Sequence, residues 1–217
     1  MLRYELKLSK YWIFLGTLFF YVALLLFYRP RIEEMIILQE AVLGGTLMLN
    51  CGFIAFATTE REILMTSKRS VFGILMLRFI FTFTEYTLIM ASIFPYTFLT
   101  NNKTTLNYLM PNLLISYFCT TLLLSAVSLL FCIVFKKIED IQTCNGLLLT
   151  FWVGLHYGLK MHQIPLWYSL IDPFYSDISL SSGWYWNRNR IIISAAGIVL
   201  LGISMFLLHN RKVFQKD

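Results

Sequence analysis

The sequence predicts an all-α membrane protein with six transmembrane helices and both chain termini in the cytoplasm. Hydrophobic residues make up 58% of the 217 residues and charged residues only 14%, which is more apolar surface than one soluble core can bury. The excess is expected to face lipid. Trp and Tyr lie near the ends of the apolar runs, where a bilayer interface would be, and Trp12, Trp167, Trp184 and Trp186 all follow this rule.

The positions of the six spans follow from the lengths of the apolar segments. A hydrocarbon core of about 30 Å takes about 20 helical residues to cross. The predicted spans are 11–28, 41–59, 71–96, 108–135, 141–159 and 191–208, within a single transmembrane domain that covers 1–217. No small-residue cleavage site follows the first segment, so we expect a retained span and not a signal peptide. Pro111 is predicted to mark the first turn of the fourth span.

The orientation is predicted from the Lys and Arg residues of the short connections, which tend to stay on the cytoplasmic side. Placing the N-terminus inside puts most of them in the cytoplasm. The inner segments would hold Arg3, Lys7, Lys10, Arg61, Lys68, Arg69, Lys136, Lys137, Arg211, Lys212 and Lys216, and the outer ones Arg29, Arg31, Lys103, Lys160, Arg188 and Arg190.

The longest connection, 160–190, lies on the predicted outer side between the fifth and sixth spans. It is rich in aromatic residues and contains Pro165 and Pro173. Apolar side chains in that number would not stay in water, so the loop is predicted to be re-entrant, dipping back into the interface.

The first inner loop, residues 60–70, carries charges at both ends with Ile63, Leu64 and Met65 between them. This pattern predicts a short amphipathic helix on the membrane surface, between the second and third spans. It could dock a cytoplasmic partner or form a plain interfacial turn, and the residues alone do not choose between the two.

Arg78 and Glu85 are the only formal charges inside the predicted spans, where a charge costs at least about 2.5 kcal/mol. Arg78 is close enough to the cytoplasmic end to extend its side chain to the interface. Glu85 lies deeper, about 21 Å along the helix from Val71, and should face another helix, a second subunit or a polar cavity. Its role could be packing, subunit contact, or direct handling of a substrate or proton.

No enzyme, metal or nucleic-acid signature is found in the sequence. His156 and His162 are six residues apart, on different helical faces, and with His209 they are predicted to be interface residues and not ligands. No phosphate-binding Gly-rich loop occurs, so any ATP must be bound by another chain. The basic residues form no continuous face for nucleic acid, despite a net charge of +6.

Three places in the sequence resemble the permease subunits of type-2 ATP-binding-cassette (ABC) exporters. The acidic–basic–acidic triplet 60–62, followed by 63–70, is similar to the family's charged coupling segment at the start of the third span. Residues 171–175, Ile-Asp-Pro-Phe-Tyr, resemble an Asn-Pro-Phe-Thr-Tyr-like element between the fifth and sixth spans. The basic ending 210–214 is like the family's tail. The layout agrees over the whole chain, although the Gly-Thr that usually follows the acidic pair is absent.

The resemblance implies a function and a set of partners. Two permease subunits, identical or different, would form the pathway with two copies of an ABC ATPase that binds ATP and Mg²⁺, while this chain would bind no cofactor and catalyse no reaction. The pathway would alternate between inward-facing and outward-facing states. The residues implied to contact the ATPase are Glu60, Arg61, Glu62, Lys68 and Arg69, with Lys136, Lys137, Glu139 and Asp140 as a second contact.

The interior offers few charges, which suits an amphipathic cargo such as a peptide, a lipid or a hydrophobic drug. Export of an antimicrobial peptide, or protection against one, is the leading version that the resemblance suggests, in a bacterial plasma membrane. Two alternatives stay open: a non-transporting assembly or sensor subunit, and a membrane protein that acts alone.

Overall fold

The computed structural model describes Phe19, Ile80 and residues 103–135, 137–175 and 183–209. The three described ranges contain three α-helices and one 3-10 helix. They are α1 (Lys103–Val134), α2 (Ile138–Lys160), the 3-10 helix (Leu166–Ile171) and α3 (Gly183–His209). Phe19 and Ile80 are also helical, inside the predicted first and third spans. The predicted coupling segment 60–70, Arg78, Glu85, Lys136 and the second span lie outside the described residues.

Two of the described helices are long and apolar enough to cross a membrane. In α1 the stretch Ile115–Val134 is 78% buried inside the protein, whereas in α3 the stretch Gly183–Leu207 is only 22% buried. The two stretches are equally apolar, so the difference in their burial comes from where each helix lies in the protein. Helix α1 is the core of the described region, and α3 packs on it with most of its apolar surface exposed, including Ile191, Ile198 and Phe206.

The helices extend beyond the predicted spans. Helix α1 begins at Lys103 and α3 at Gly183, ahead of the predicted starts at 108 and 191. The prediction that Pro111 marks a first turn is therefore wrong, because it lies inside α1. Apolarity marks only the part of a helix that needs lipid or protein around it, whereas the backbone hydrogen bonds continue into polar surroundings.

Helix α2 covers the predicted fifth span, 141–159, but is more polar than the other two. It carries Gln142 and Thr143 on its exposed surface and Asn145 buried. Its helical character is as predicted, and its first turn contains Glu139 and Asp140, which stabilise a helix N-terminus electrostatically.

Helices α1 and α3 cross closely at Gly197. A Cβ atom placed there would lie 3.2 Å from the backbone of Leu123 and 3.1 Å from Leu122 Cγ. One turn earlier, the Ser194 hydroxyl donates to Cys119 Sγ at 2.9 Å. Small residues that allow such approach are typical of packed membrane helices, and the contact brings the middle of α3 against the middle of α1.

Helix α2 ends in a Schellman motif. His162 has a left-handed φ of 55°. Its N–H donates to Leu159 O at 3.1 Å, and the Gln163 N–H donates to Gly158 O at 3.0 Å. The chain then turns back, so that Ile164 packs over Gly158. This reversal directs the following segment towards α1 and α3.

Candidate functional site: the buried Asp172 cluster

Five polar side chains meet where the segment after α2 packs against α1 and α3. We call them the Asp172 cluster: Thr120, His156, Asp172, Asn189 and Arg190. They come from α1, α2, the end of the 3-10 helix and α3, so the cluster joins every described helix.

Asp172 follows the 3-10 helix and is fully buried. Its Oδ2 lies 2.8 Å from His156 Nδ1, and its Oδ1 accepts the Phe174 backbone N–H at 2.9 Å. The second bond is a local turn that Asp commonly makes with the backbone two residues ahead. Because a carboxylate only accepts, His156 donates from Nδ1. Asp172 thus closes its own turn and ties it to α2.

Asn189 connects the same turn to α3. Its side-chain amide donates to Ser169 O at 2.6 Å and to Asp172 O at 2.8 Å. Ser169 O also accepts the Asp172 N–H, and Asp172 O accepts the Tyr175 N–H, each at 3.3 Å. The buried Asn189 side chain therefore adds a second hydrogen bond to each carbonyl and joins the end of the 3-10 helix to α3.

Arg190 extends the cluster to α1. Its guanidinium donates to Thr120 Oγ1 at 3.0 Å, and the Thr120 hydroxyl donates in turn to Pro173 O at 2.7 Å. The planar fork of Arg can satisfy several acceptors at once. The Arg190 guanidinium also donates to the backbone carbonyls of Ser116, Pro173 and Tyr175.

The cluster contains two buried charges of opposite sign. Asp172 is 0% and Arg190 3% exposed. An isolated buried charge is costly, and pairing with hydrogen bonds and an opposite charge makes it tolerable. The Trp186 ring lies 5.9 Å from the Arg190 guanidinium carbon and adds a cation–π contact. Each charge has its own hydrogen bonds: Asp172 accepts from His156 and the Phe174 N–H, and Arg190 donates to Thr120 and to backbone carbonyls.

Among the buried side-chain atoms of the region, His156 Nε2, Ser169 Oγ and Asn189 Oδ1 have no hydrogen-bond partner among the described residues. His156 and Asp172 resemble the base and orienting carboxylate of a hydrolase triad. However, Ser169 and His156 do not bond each other, so this geometry does not build a Ser-His-Asp triad. Buried atoms of this kind are ordinarily satisfied by ordered water.

Metal chemistry finds no support in the described part of the chain, since no three His, Cys, Asp or Glu residues gather there in a way that could hold an ion. Cys119, Cys132 and Cys144 are free thiols, and the first two are buried.

The structure changes the interpretation of His156. It was expected at the membrane interface without a carboxylate companion, but its side chain is 11% exposed and paired with Asp172. The partner is distant in sequence and is brought back by the turn after α2. His162, by contrast, is exposed and closes the cap of α2.

Most of the predicted site residues lie outside the described part of the chain: Glu60, Arg61, Glu62, Lys68, Arg69, Lys136, Arg78 and Glu85. Lys137 is described; it precedes the first turn of α2 and is exposed, as are Glu139 and Asp140. These three residues lie at the opposite end of α2 from the Asp172 cluster.

The sequence carried one signal of the cluster. Asp172-Pro173 interrupts an apolar, aromatic stretch, and an acidic residue there needs a partner. The predicted loop segment does pack back on the helices, but its partners Thr120, Asn189 and Arg190 could not be chosen from spacing alone.

Comparison with known proteins adds no relationship, since no family model, curated protein or solved structure matches this chain.

Proposed function

We propose that this chain is the membrane-spanning permease subunit of an ABC exporter in a bacterial plasma membrane, with six spans and both termini inside. The apolar composition of the whole chain and the two helices long and apolar enough to cross a membrane support the membrane placement. The three motifs described above support the family.

The observation that carries the proposal is how the Asp172 cluster fastens residues 172–175 to the neighbouring helices. All four residues are buried. They belong to the segment that resembles the permease element between the fifth and sixth spans. A loop with its backbone carbonyls bonded to Asn189 and Arg190 must move together with the start of α3. Alternating access needs such units, because packed helices and their loops shift as rigid bodies.

The other end of α2 supports a contact with a soluble partner. Lys137, Glu139 and Asp140 are exposed there, about 35 Å along the 23-residue helix from Lys160. Charged, exposed side chains suit the polar rim of a protein interface. They would add to the main ATPase contact through Glu60, Arg61, Glu62, Lys68 and Arg69.

The mechanism that follows needs two permease and two ATPase subunits. ATP binding closes the ATPase pair, which moves the coupling segments 60–70 and switches the pathway from inward-facing to outward-facing. The cargo is amphipathic: a peptide, a lipid or a hydrophobic drug. Arg78 and Glu85 are the intramembrane charges that would contact the second subunit or the cargo.

The test is a detergent pull-down of this chain with a candidate ABC ATPase subunit. Reversing the charges of Glu60, Arg61 and Glu62 is expected to release the ATPase. Lys160→Glu is the matched control, because Lys160 is exposed at the far end of α2 and should leave binding unchanged. Failure of the unaltered chain to retain the ATPase would instead favour a membrane protein that acts alone.

A second experiment separates transport from assembly or sensing. Vesicles reconstituted with this chain and the ATPase should move a labelled amphipathic peptide in the presence of ATP. A stable complex that hydrolyses ATP but moves no peptide, lipid or drug would indicate a non-transporting subunit.

A further inference from the structure

The 3-10 helix buries Ser169 and exposes three large apolar side chains. Ser169 is fully buried, while Leu166, Trp167 and Ile171 are 47%, 55% and 43% exposed. The Trp167 ring stacks on Tyr168 with centroids 3.8 Å apart, which holds it against the protein. Large apolar and aromatic side chains exposed on a short helix are typical of a segment that lies in a membrane interface.

The depth of this helix is set by its bonds to α3. Helix α3 has 27 residues and is about 40 Å long, which exceeds a hydrocarbon core of about 30 Å. If the apolar run from Ile191 onwards crosses the core, residues 183–190 stand in the headgroup layer. Asn189 bonds the carbonyls of Ser169 and Asp172 at 2.6 and 2.8 Å, so the 3-10 helix lies at the same level.

The exposed charges at this level are positive. Arg188 is exposed, and its guanidinium carbon lies 3.8 Å from the centroid of the Trp184 ring, which is itself exposed. Lys160, also exposed, is in the last turn of α2. Within the described ranges, the exposed carboxylates Glu139 and Asp140 are at the other end of α2.

We propose that the 3-10 helix, the first two turns of α3 and Lys160 form an interfacial anchor that binds the phosphate groups of anionic phospholipids. Leu166, Trp167 and Ile171 enter the glycerol region, where aromatic rings are favoured. Arg188, held by the Trp184 ring, and Lys160 bind the phosphates. The anchor rests on the membrane placement proposed above but does not depend on transport.

Depth is measured by fluorescence quenching in vesicles. A variant keeps Trp167 and has Phe at the other tryptophans, and phosphatidylcholine brominated at a shallow or a deep acyl position is the quencher. Trp167 should be quenched by the shallow position more than by the deep one. In the reference protein all native tryptophans, Trp167 included, are replaced by Phe, and Ile198→Trp supplies the only Trp. Ile198 is chosen because it is exposed within the apolar part of α3.

The two reporters separate the anchor from the membrane placement. Deep quenching at position 198 with no quenching of Trp167 would refute the anchor and leave the placement intact. No quenching at either position would refute the placement itself.

The lipid preference is measured with the same Trp167 reporter and brominated phosphatidylglycerol diluted into phosphatidylcholine. Brominated phosphatidylglycerol should quench Trp167 more strongly than brominated phosphatidylcholine does at the same mole fraction. The local enrichment of phosphatidylglycerol should fall roughly fivefold for each of Lys160→Gln and Arg188→Gln. Lys137 is an exposed cation at the far end of α2. Lys137→Gln is therefore the control and should leave the enrichment of phosphatidylglycerol near Trp167 unchanged. Equal quenching by both lipids in the unaltered reporter protein would overturn the proposed preference.

Discussion

His156 Nδ1 lies 2.8 Å from Asp172 Oδ2, and this buried pair joins α2 to the end of the 3-10 helix across 16 residues of sequence. The same carboxylate accepts the Phe174 backbone N–H. One side chain therefore shapes the turn and attaches it to a helix, which makes Asp172 the residue on which the cluster depends most.

Asp172→Ala should lower the free energy of unfolding by about 2–6 kcal/mol, because it leaves two buried donors, His156 Nδ1 and the Phe174 N–H, without an acceptor. Denaturant unfolding in detergent, followed by Trp fluorescence, would measure the loss. Asp140→Ala removes an exposed carboxylate in the first turn of α2 and should change stability by no more than about 1 kcal/mol. Equal losses in the two variants would contradict the central role of Asp172.

The His156–Asp172 pair should also show coupling in a double-mutant cycle. His156→Ala, Asp172→Ala and the double variant are expected to give an interaction free energy between about 0.5 and 3 kcal/mol, since the side chains are in contact. His162→Ala in place of His156→Ala supplies the control cycle, in which additivity is expected. Additive losses for His156 and Asp172 would mean that their bond contributes little to stability.

Arg190→Lys keeps the charge but loses the planar fork that donates to Thr120 and to three backbone carbonyls. An ammonium group on a different stem cannot reproduce those directions. We expect a loss of about 1–3 kcal/mol in the free energy of unfolding, since buried acceptors are left unsatisfied. Arg188→Lys, at an exposed position, should stay within about 0.5 kcal/mol. An unchanged free energy of unfolding in Arg190→Lys would show that only the positive charge is needed.

Alanine should have opposite effects at two glycines of α3. At Gly197 the new Cβ would meet the Leu123 backbone at 3.2 Å, so the helices must separate, at a cost of about 1–3 kcal/mol. At Gly202 it would meet nothing within 4 Å, and the higher helix propensity of Ala should stabilise by up to about 1 kcal/mol. Thermal unfolding in detergent compares the two, and stabilisation by both would refute the close crossing of α1 and α3.

His162→Gly should stabilise the protein by about 1 kcal/mol. A residue with a Cβ atom pays that much for the left-handed conformation, which Gly adopts freely. The gain should appear as a higher free energy of unfolding. His162→Ala is the matched control, because it removes the imidazole but keeps the Cβ atom, and it should give no such gain. Stabilisation by Ala as well would trace the effect to the imidazole and not to the backbone.

The helices were predictable because their signal is local. An apolar run of about 20 residues predicts a membrane-spanning helix, and the fourth, fifth and sixth predicted segments are all helical in the structure. The starts of α1 and α3 were less predictable. Polar residues such as Asn187 and Asn189 are helical, so hydropathy alone places the start too late.

The candidate site was only partly predictable. The sequence offers one signal that the predictions did not use: Asp172 interrupts an aromatic loop, and a buried acidic residue there needs a partner. The choice of Arg190 over the nearby Arg188 could not be made from sequence. Both are basic and close to the start of the last apolar run, and only the direction in which each side chain leaves α3 separates the buried one from the exposed one.

By itself, the sequence determined the apolar, helical character of this protein, the places where its helices cross from apolar to polar composition, and the need of its aromatic loop to pack against something other than water. These properties belong to short stretches of chain, since propensity and hydrophobicity act locally. The tertiary structure alone decided that Asp172 meets His156, that Arg190 reaches Thr120, and that α1 and α3 touch at Gly197. Each of these contacts joins residues far apart in the chain, and their selection depends on the three-dimensional packing that satisfies buried charges and hydrogen bonds together.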